Sequence, residues 1–105
     1  MFPMLQFMDR FGGILAELDE LAAKATGEAA EALEDQNAEL EDALLLLREL
    51  KPDDADGAEE QADTLEDLKA LAEDYRQLAG SVPGLSELAD RLDMAATLAL
   101  NSLEQ

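Results

Sequence analysis

Apolar residues recur at three- or four-residue steps through most of this chain, which is the spacing of one buried face of an α-helix. Four segments carry the pattern, at about residues 3–25, 27–50, 58–79 and 82–103. No segment alternates apolar and polar residues as a half-buried strand does. The links Pro52–Gly57 and Gly80–Gly84 are short, and short links place consecutive helices antiparallel. We therefore predict an all-α fold, a single domain over residues 1–105 that forms an up-down antiparallel helical bundle of about four helices, with a helical homodimer as the alternative.

The helical pattern is interrupted at two places. Gly12 and Gly13 lie in the middle of the first helix, where each costs about 1 kcal/mol relative to alanine, so we expect a kink or a close helix crossing there. Gln36 and Asn37 lie on the apolar stripe of the second helix. A polar residue in such a stripe fixes helix register at some cost in stability.

Apolar residues outside the main stripes raise the question of a second contact surface. All three phenylalanines and three of the four methionines fall within the first eleven residues. Such a cluster ordinarily belongs to the core, and a docking or dimer face is the alternative because methionine-rich helices adapt to varied surfaces. The run Leu44 to Leu47 also wraps more than one helix face. The candidate oligomer face consists of Leu5, Phe7, Phe11, Leu45, Leu46, Leu98 and Leu100.

Missing residue types argue against an enzyme. The chain has no cysteine and no histidine, which excludes thiolate nucleophiles, imidazole general bases and the usual zinc ligands. We predict no catalytic residue, no cofactor and no metal site. No apolar run reaches the roughly 20 residues that cross a bilayer, and the amino-terminal segment lacks the basic region of a signal peptide. The expected location is therefore cytoplasmic (the host cytoplasm if the protein is viral), without membrane association.

Charge is the strongest signal in the composition. The chain has 26 acidic and 7 basic residues, for a net charge of −19. Residues 27–51 carry −6 and residues 52–80 carry −8, whereas residues 1–25 carry −2 and residues 81–105 carry −3. Because like charges at this density repel one another and oppose folding, we expect the acid of the two middle helices to serve an interaction outside the fold.

The acids of the second and third helices follow three- and four-residue steps, which places them along one side of each helix. If these helices are neighbours, the two rows merge into an acidic ridge that faces solvent. The ridge comprises Glu28, Glu31, Asp35, Glu39, Asp42, Glu59, Glu60, Asp63, Glu66, Asp67, Glu73 and Asp74.

Two functions from different classes fit these features. The first is a non-enzymatic inhibitor or decoy that mimics nucleic acid and masks the basic surface of a nucleic-acid-binding protein, without binding nucleic acid itself. In size, acidity, helical composition and lack of cysteine the chain resembles many small viral inhibitors of restriction and CRISPR systems, a likeness that implies an anti-defence role and that no motif carries. The second is a structural, adaptor or chaperone-like helical protein that dimerises through apolar helix faces. In that second case the acid serves solubility or adaptation to high salt.

Overall fold

The computed structural model describes the backbone of residues 4–49 and 55–104 and the side chains of residues 7–49 and 59–102. The described part of the chain is helical, without a strand, which confirms the predicted all-α fold. The helices are α1 (Met4–Lys24), α2 (Gly27–Glu49), α3 (Ala55–Leu78) and α4 (Leu85–Glu104).

Each helix packs against two others. Contacts join α1 with α2, α2 with α3, α3 with α4, and α1 with α4, while the diagonal pairs do not touch within the described residues. The short links between successive helices make neighbours antiparallel, so the four helices stand at the corners of a square bundle of 44 × 20 × 19 Å. Therefore α2 and α3 share one edge of the bundle, and α1 and α4 share the opposite edge.

Two helix starts differ from the prediction. Helix α3 begins at Ala55, before the expected residue 58. Helix α4 begins at Leu85, after the expected residue 82. Gly84 has a φ of 88° and is therefore in a conformation that cannot belong to a helix. Val82 is buried within this turn, and its apolar character resembles that of a helix position.

The core is a single cluster to which all four helices contribute. Its largest fully buried side chains include Phe11, Leu33, Leu68 and Leu92, one from each helix. Phe7 also lies in this cluster. The core interpretation therefore holds for Phe7 and Phe11, which are not on the surface of the folded chain.

The other residues of the candidate oligomer face have different positions. Leu45, Leu46 and Leu98 are 47%, 46% and 42% exposed, and Leu100 is half-buried against the core. The side chain of Leu5 lies outside the described residues. The leucine run of α2 therefore contributes two side chains to the core and leaves two in contact with water.

The glycine pair does not mark a close helix crossing. Helix α1 continues through Gly12 and Gly13, and both residues are exposed. A Cβ atom added at either position would meet no atom within 4 Å. The expected close crossing is wrong, because the open sides of these glycines face solvent and not another helix.

A buried polar chain links α1, α2 and α3. The Tyr75 hydroxyl donates a hydrogen bond to Asn37 Oδ1 at 2.8 Å, and Asn37 Nδ2 donates to Asp19 Oδ1 at 3.2 Å. Burial raises the pKa of Tyr75 well above its usual range, and the nearby Asp19 and Glu39 carboxylates raise it further. Of the two polar candidates for fixing register, Asn37 is therefore the residue that connects the helices.

Candidate functional site: the acidic ridge of α2 and α3

All twelve side chains of the predicted acidic ridge lie at the protein surface. Eleven are exposed and Asp74 is half-buried. On α2 the buried positions include Leu33, Leu40 and Leu47. The ridge acids of α2 lie about half a turn around the helix from these leucines, which places them on the opposite, solvent-facing side. Since α2 and α3 are antiparallel neighbours, ridge acids of both helices meet along the edge of the bundle that these two helices share.

The rows come together in a shallow groove between α2 and α3, which we call the seam groove. It has a volume of about 310 Å³. Its lining residues are Glu39, Ala43, Asp67, Ala70, Leu71 and Asp74. Every ionisable residue in this lining is acidic, and the remaining residues are small or aliphatic. The seam groove therefore presents carboxylates from both helices above an apolar floor.

The other α3 acids divide into two sets. Glu60 and Asp63 stand at three- and four-residue steps from Asp67, which places them on the same side of α3 as the seam groove. Glu59, Glu66 and Glu73 follow one another at seven-residue steps on the flank that turns toward α4. Glu73 confirms this direction, because its carboxylate pairs with an arginine that also reaches α4.

Among the described residues, no basic side chain lines the seam groove. Arg76 bonds to Asp90 at 2.9 Å, to Asp93 at 3.0 Å and to Glu73 at 3.2 Å. These hydrogen bonds, the one to Asp90 most of all, raise the pKa of Arg76. Arg76 therefore links α3 to α4, and it does not neutralise the carboxylates on the edge between α2 and α3.

The remaining ion pair also lies elsewhere. Arg91 bonds to Glu17 at 2.7 Å and joins α4 to α1. Among the described residues, Glu73 is the one ridge acid that forms a salt bridge. The ridge thus carries almost all of its charge unneutralised by the rest of the described structure.

This arrangement opposes folding. Asp35 and Glu39, like Asp63 and Asp67, are like charges four residues apart on one helix. Each such pair destabilises a helix by about 0.2–0.5 kcal/mol. In the seam groove, carboxylates of α2 and α3 line one concave surface together with aliphatic side chains. Repulsion between these like charges on different helices also opposes folding.

The sequence predicted the rows of acids but not their point of convergence. Glu39, Asp67 and Asp74 were three members of a set of twelve, and periodicity alone gave them no special place. The available signal was the alanines: Ala43 and Ala70 are small residues that flank the acids, and they leave the space that becomes the seam groove.

Comparison with protein families, with characterised proteins and with solved structures finds no match to this chain. Within the described residues, no helix combines the length and the apolar character needed to cross a membrane. Among the same residues, no group of three acidic side chains is close enough together to hold a metal ion.

Proposed function

We propose that this protein is a non-enzymatic decoy whose acidic ridge occupies the basic surface of a nucleic-acid-binding protein. The observation that supports the proposal is the unneutralised edge between α2 and α3, where carboxylates of both helices line one groove. A chain that needed acid only for solubility would gain more from acids and bases interspersed over its surface.

The charge spacing is suited to this role. The two middle segments carry −14 in total, from −6 and −8, along helices of roughly 36 Å. This is about one net charge per 2.6 Å of length, against about one per 1.7 Å in duplex DNA. The two segments together therefore carry negative charge at a density comparable to that of a phosphate backbone.

The chemistry of the contact follows from the groups available. Arginine and lysine side chains of the partner form charge-assisted hydrogen bonds to the ridge carboxylates, and the stems of those side chains pack on the aliphatic floor of the seam groove. Long-range attraction accelerates association, and added salt weakens it. The partner is a basic protein, and the ridge itself repels nucleic acid.

The test compares two variants of equal net charge. The ridge variant carries Glu39→Gln, Asp67→Asn and Asp74→Asn, and the matched control carries Glu20→Gln, Glu34→Gln and Glu87→Gln. All six wild-type side chains lie at the surface, and those of the control point away from the seam groove. Each immobilised chain is used to capture proteins from a cell lysate, bound proteins are eluted with stepped NaCl and identified, and the captured protein is assayed for competition with duplex DNA and RNA.

We expect the wild type and the control to retain a nucleic-acid-binding protein that elutes at moderate salt and is displaced by nucleic acid. We expect the ridge variant to lose it. Equal capture by the ridge variant, or binding that persists unchanged at about 0.5 M salt, would overturn the proposal.

A further inference from the structure

Two grooves flank the middle of α1 on the side of the bundle away from α3. The first lies between α1 and α4, has a volume of about 450 Å³ and includes Ile14, Met94 and Leu98 in its lining. The second lies between α1 and α2, has a volume of about 180 Å³ and includes Leu15 and Leu45. Gly13 lines the first groove and Gly12 lines the second. We call this surface the glycine face.

The glycine face is apolar to an extent that its surroundings are not. Met94 is 65% exposed, and Leu98 and Leu45 are each more than 40% exposed. The ridge has no comparable concentration of large apolar side chains, since its groove has Leu71 alone on its floor. Exposed apolar side chains clustered around grooves are typical of a contact surface.

Charge on the glycine face is mixed, in contrast to the ridge. The first groove is lined by Asp9, Arg10 and Arg91, and the second by Glu41 and Arg48. Three of the seven basic residues of the chain therefore line these two grooves. These basic residues lower the repulsion that two copies of a chain with a net charge of −19 would otherwise meet at this surface.

The charges of α1 are also complementary to themselves. Arg10 and Glu17 lie two turns apart on the side of α1 that faces α4, with Gly13 about midway between them. If a second α1 packs antiparallel across Gly13, Arg10 of each copy comes close to Glu17 of the partner subunit and joins the ion pair that this carboxylate forms with Arg91 of its own chain. A two-fold axis repeats this contact, as a symmetric dimer requires.

We infer that the glycine face is the interface of a homodimer in which the α1 helices pack antiparallel across Gly12 and Gly13. Glycine is unfavourable in the middle of a helix, and no described residue lies within 4 Å of a Cβ atom added at either glycine. In a dimer that space admits the partner helix at close range. The acidic ridges then lie on the far sides of the two subunits, away from each other and accessible to a basic partner.

The test measures self-association of the full chain by sedimentation velocity and by light scattering, from about 1 µM to 1 mM. Gly13→Gln blocks close approach, and nothing lies within 4 Å of the added Cβ atom inside the chain. Glutamine also favours the helix over glycine, so this variant is expected to unfold at a higher temperature than the wild type when both are monomeric. The matched control is Ala70→Gln, at an exposed position of α3 that lines the seam groove between α2 and α3.

We expect the wild type and Ala70→Gln to dimerise, and Gly13→Gln to have a dimer dissociation constant raised by about tenfold or more. Salt strengthens the dimer because it screens the repulsion between two acidic chains, whereas it weakens binding of a basic partner. The ridge variant keeps the dimer, so loss of partner binding and loss of dimerisation are separate results. A wild type that stays monomeric at the highest concentration and in high salt, or a Gly13→Gln chain that dimerises equally well, would overturn the inference.

Discussion

At the scale of single residues, the Tyr75 hydroxyl determines whether a buried amide is satisfied. It is the partner of Asn37 Oδ1, at 2.8 Å, in the interior of the bundle. Tyr75→Phe removes the donor and leaves that oxygen buried without one, which we expect to lower the free energy of unfolding by about 1–3 kcal/mol. Urea denaturation of the two chains measures the difference.

A double variant separates this cause from simple loss of a contact. In Tyr75→Phe/Asn37→Leu no unsatisfied amide remains, and Asp19 is exposed and can bond to water. We expect the double variant to be more stable than Tyr75→Phe alone, since two apolar groups replace a broken pair. A double variant less stable than the single one would show that the hydrogen bond itself is not the source of the effect.

The raised pKa of Tyr75 leads us to predict that the stability of the protein depends on pH in alkaline solution. The unfolded chain ionises tyrosine with a pKa of about 10, whereas burial keeps the folded residue protonated at higher pH. Its contribution to stability is complete below pH 10 and is lost as the pH rises above that value, by up to about 1.4 kcal/mol per pH unit. Tyr75→Phe lacks this loss, so the stability difference between the two chains should narrow between about pH 10 and pH 11.5. A constant difference would contradict the assignment.

Gln61 is the opposite case, a buried amide that no described residue satisfies. Its side chain is fully buried, and neither Oε1 nor Nε2 has a hydrogen-bond partner among the residues that the structure describes. Gln61→Met keeps the length of the side chain and removes both unsatisfied atoms, so we expect the free energy of unfolding to rise by about 1–3 kcal/mol. Thermal and urea unfolding test this, with Gln77→Met at an exposed position of α3 as the control. Unchanged or lower stability in Gln61→Met would mean that the amide has a compensating role.

At the scale of helices, the glycines of the chain divide by backbone conformation. Gly12 is helical with open space beside it, whereas Gly27 has a φ of 69°. Gly12→Ala should stabilise the monomer by about 1 kcal/mol through helix propensity, and Gly27→Ala should destabilise it by about 1 kcal/mol or more because a Cβ atom is strained at positive φ. Thermal unfolding at low protein concentration measures both. Destabilisation by Gly12→Ala would show that the helix interior at this point is not free.

Helix positions were predictable from sequence because leucine spacing records the buried face directly. The stripe through Leu33, Leu40 and Leu47 identified α2, and all three are fully buried. The start of α4 was not predictable, because Val82 is buried in a turn and continues the apolar spacing of the helix that follows. The sequence also could not show that Asn37, and not Gln36, connects the helices. That role depends on a hydrogen bond from Tyr75, which is 38 residues away in sequence.

The candidate site was predictable as two rows of acids and not as a groove. Periodicity places a side chain on one side of its helix, but the distance between rows on different helices depends on how the helices pack. Arg76 illustrates the limit. Its sequence neighbour is Glu73, yet its shortest salt bridge is to Asp90 on α4. The salt bridge to Asp90 directs the guanidinium of Arg76 toward α4, away from the edge between α2 and α3. The local sequence around Arg76 does not determine this direction.

At the scale of the whole molecule, the ridge carboxylates that the proposed binding requires also repel one another and lower the stability of the fold. Neutralising Glu39, Asp67 and Asp74 removes like charges from one groove, so the ridge variant should be more stable than the wild type by about 1 kcal/mol at low salt. The difference should shrink in about 0.5 M NaCl, because salt screens the repulsion that the substitutions remove. Thermal unfolding of both chains at low and high salt, with the Glu20, Glu34 and Glu87 variant as the control, measures it.

The same measurement distinguishes a decoy from a protein adapted to high salt. A decoy folds without salt and keeps its repulsion because binding requires it, so the ridge variant gains stability and loses its partner. If the chain is adapted to high salt, the wild type unfolds at low salt. The ridge variant and its control then regain stability to the same extent, because only the net charge matters. The positions of the three carboxylates around one groove favour the first outcome. Equal stabilisation by the ridge variant and by its control would favour the second.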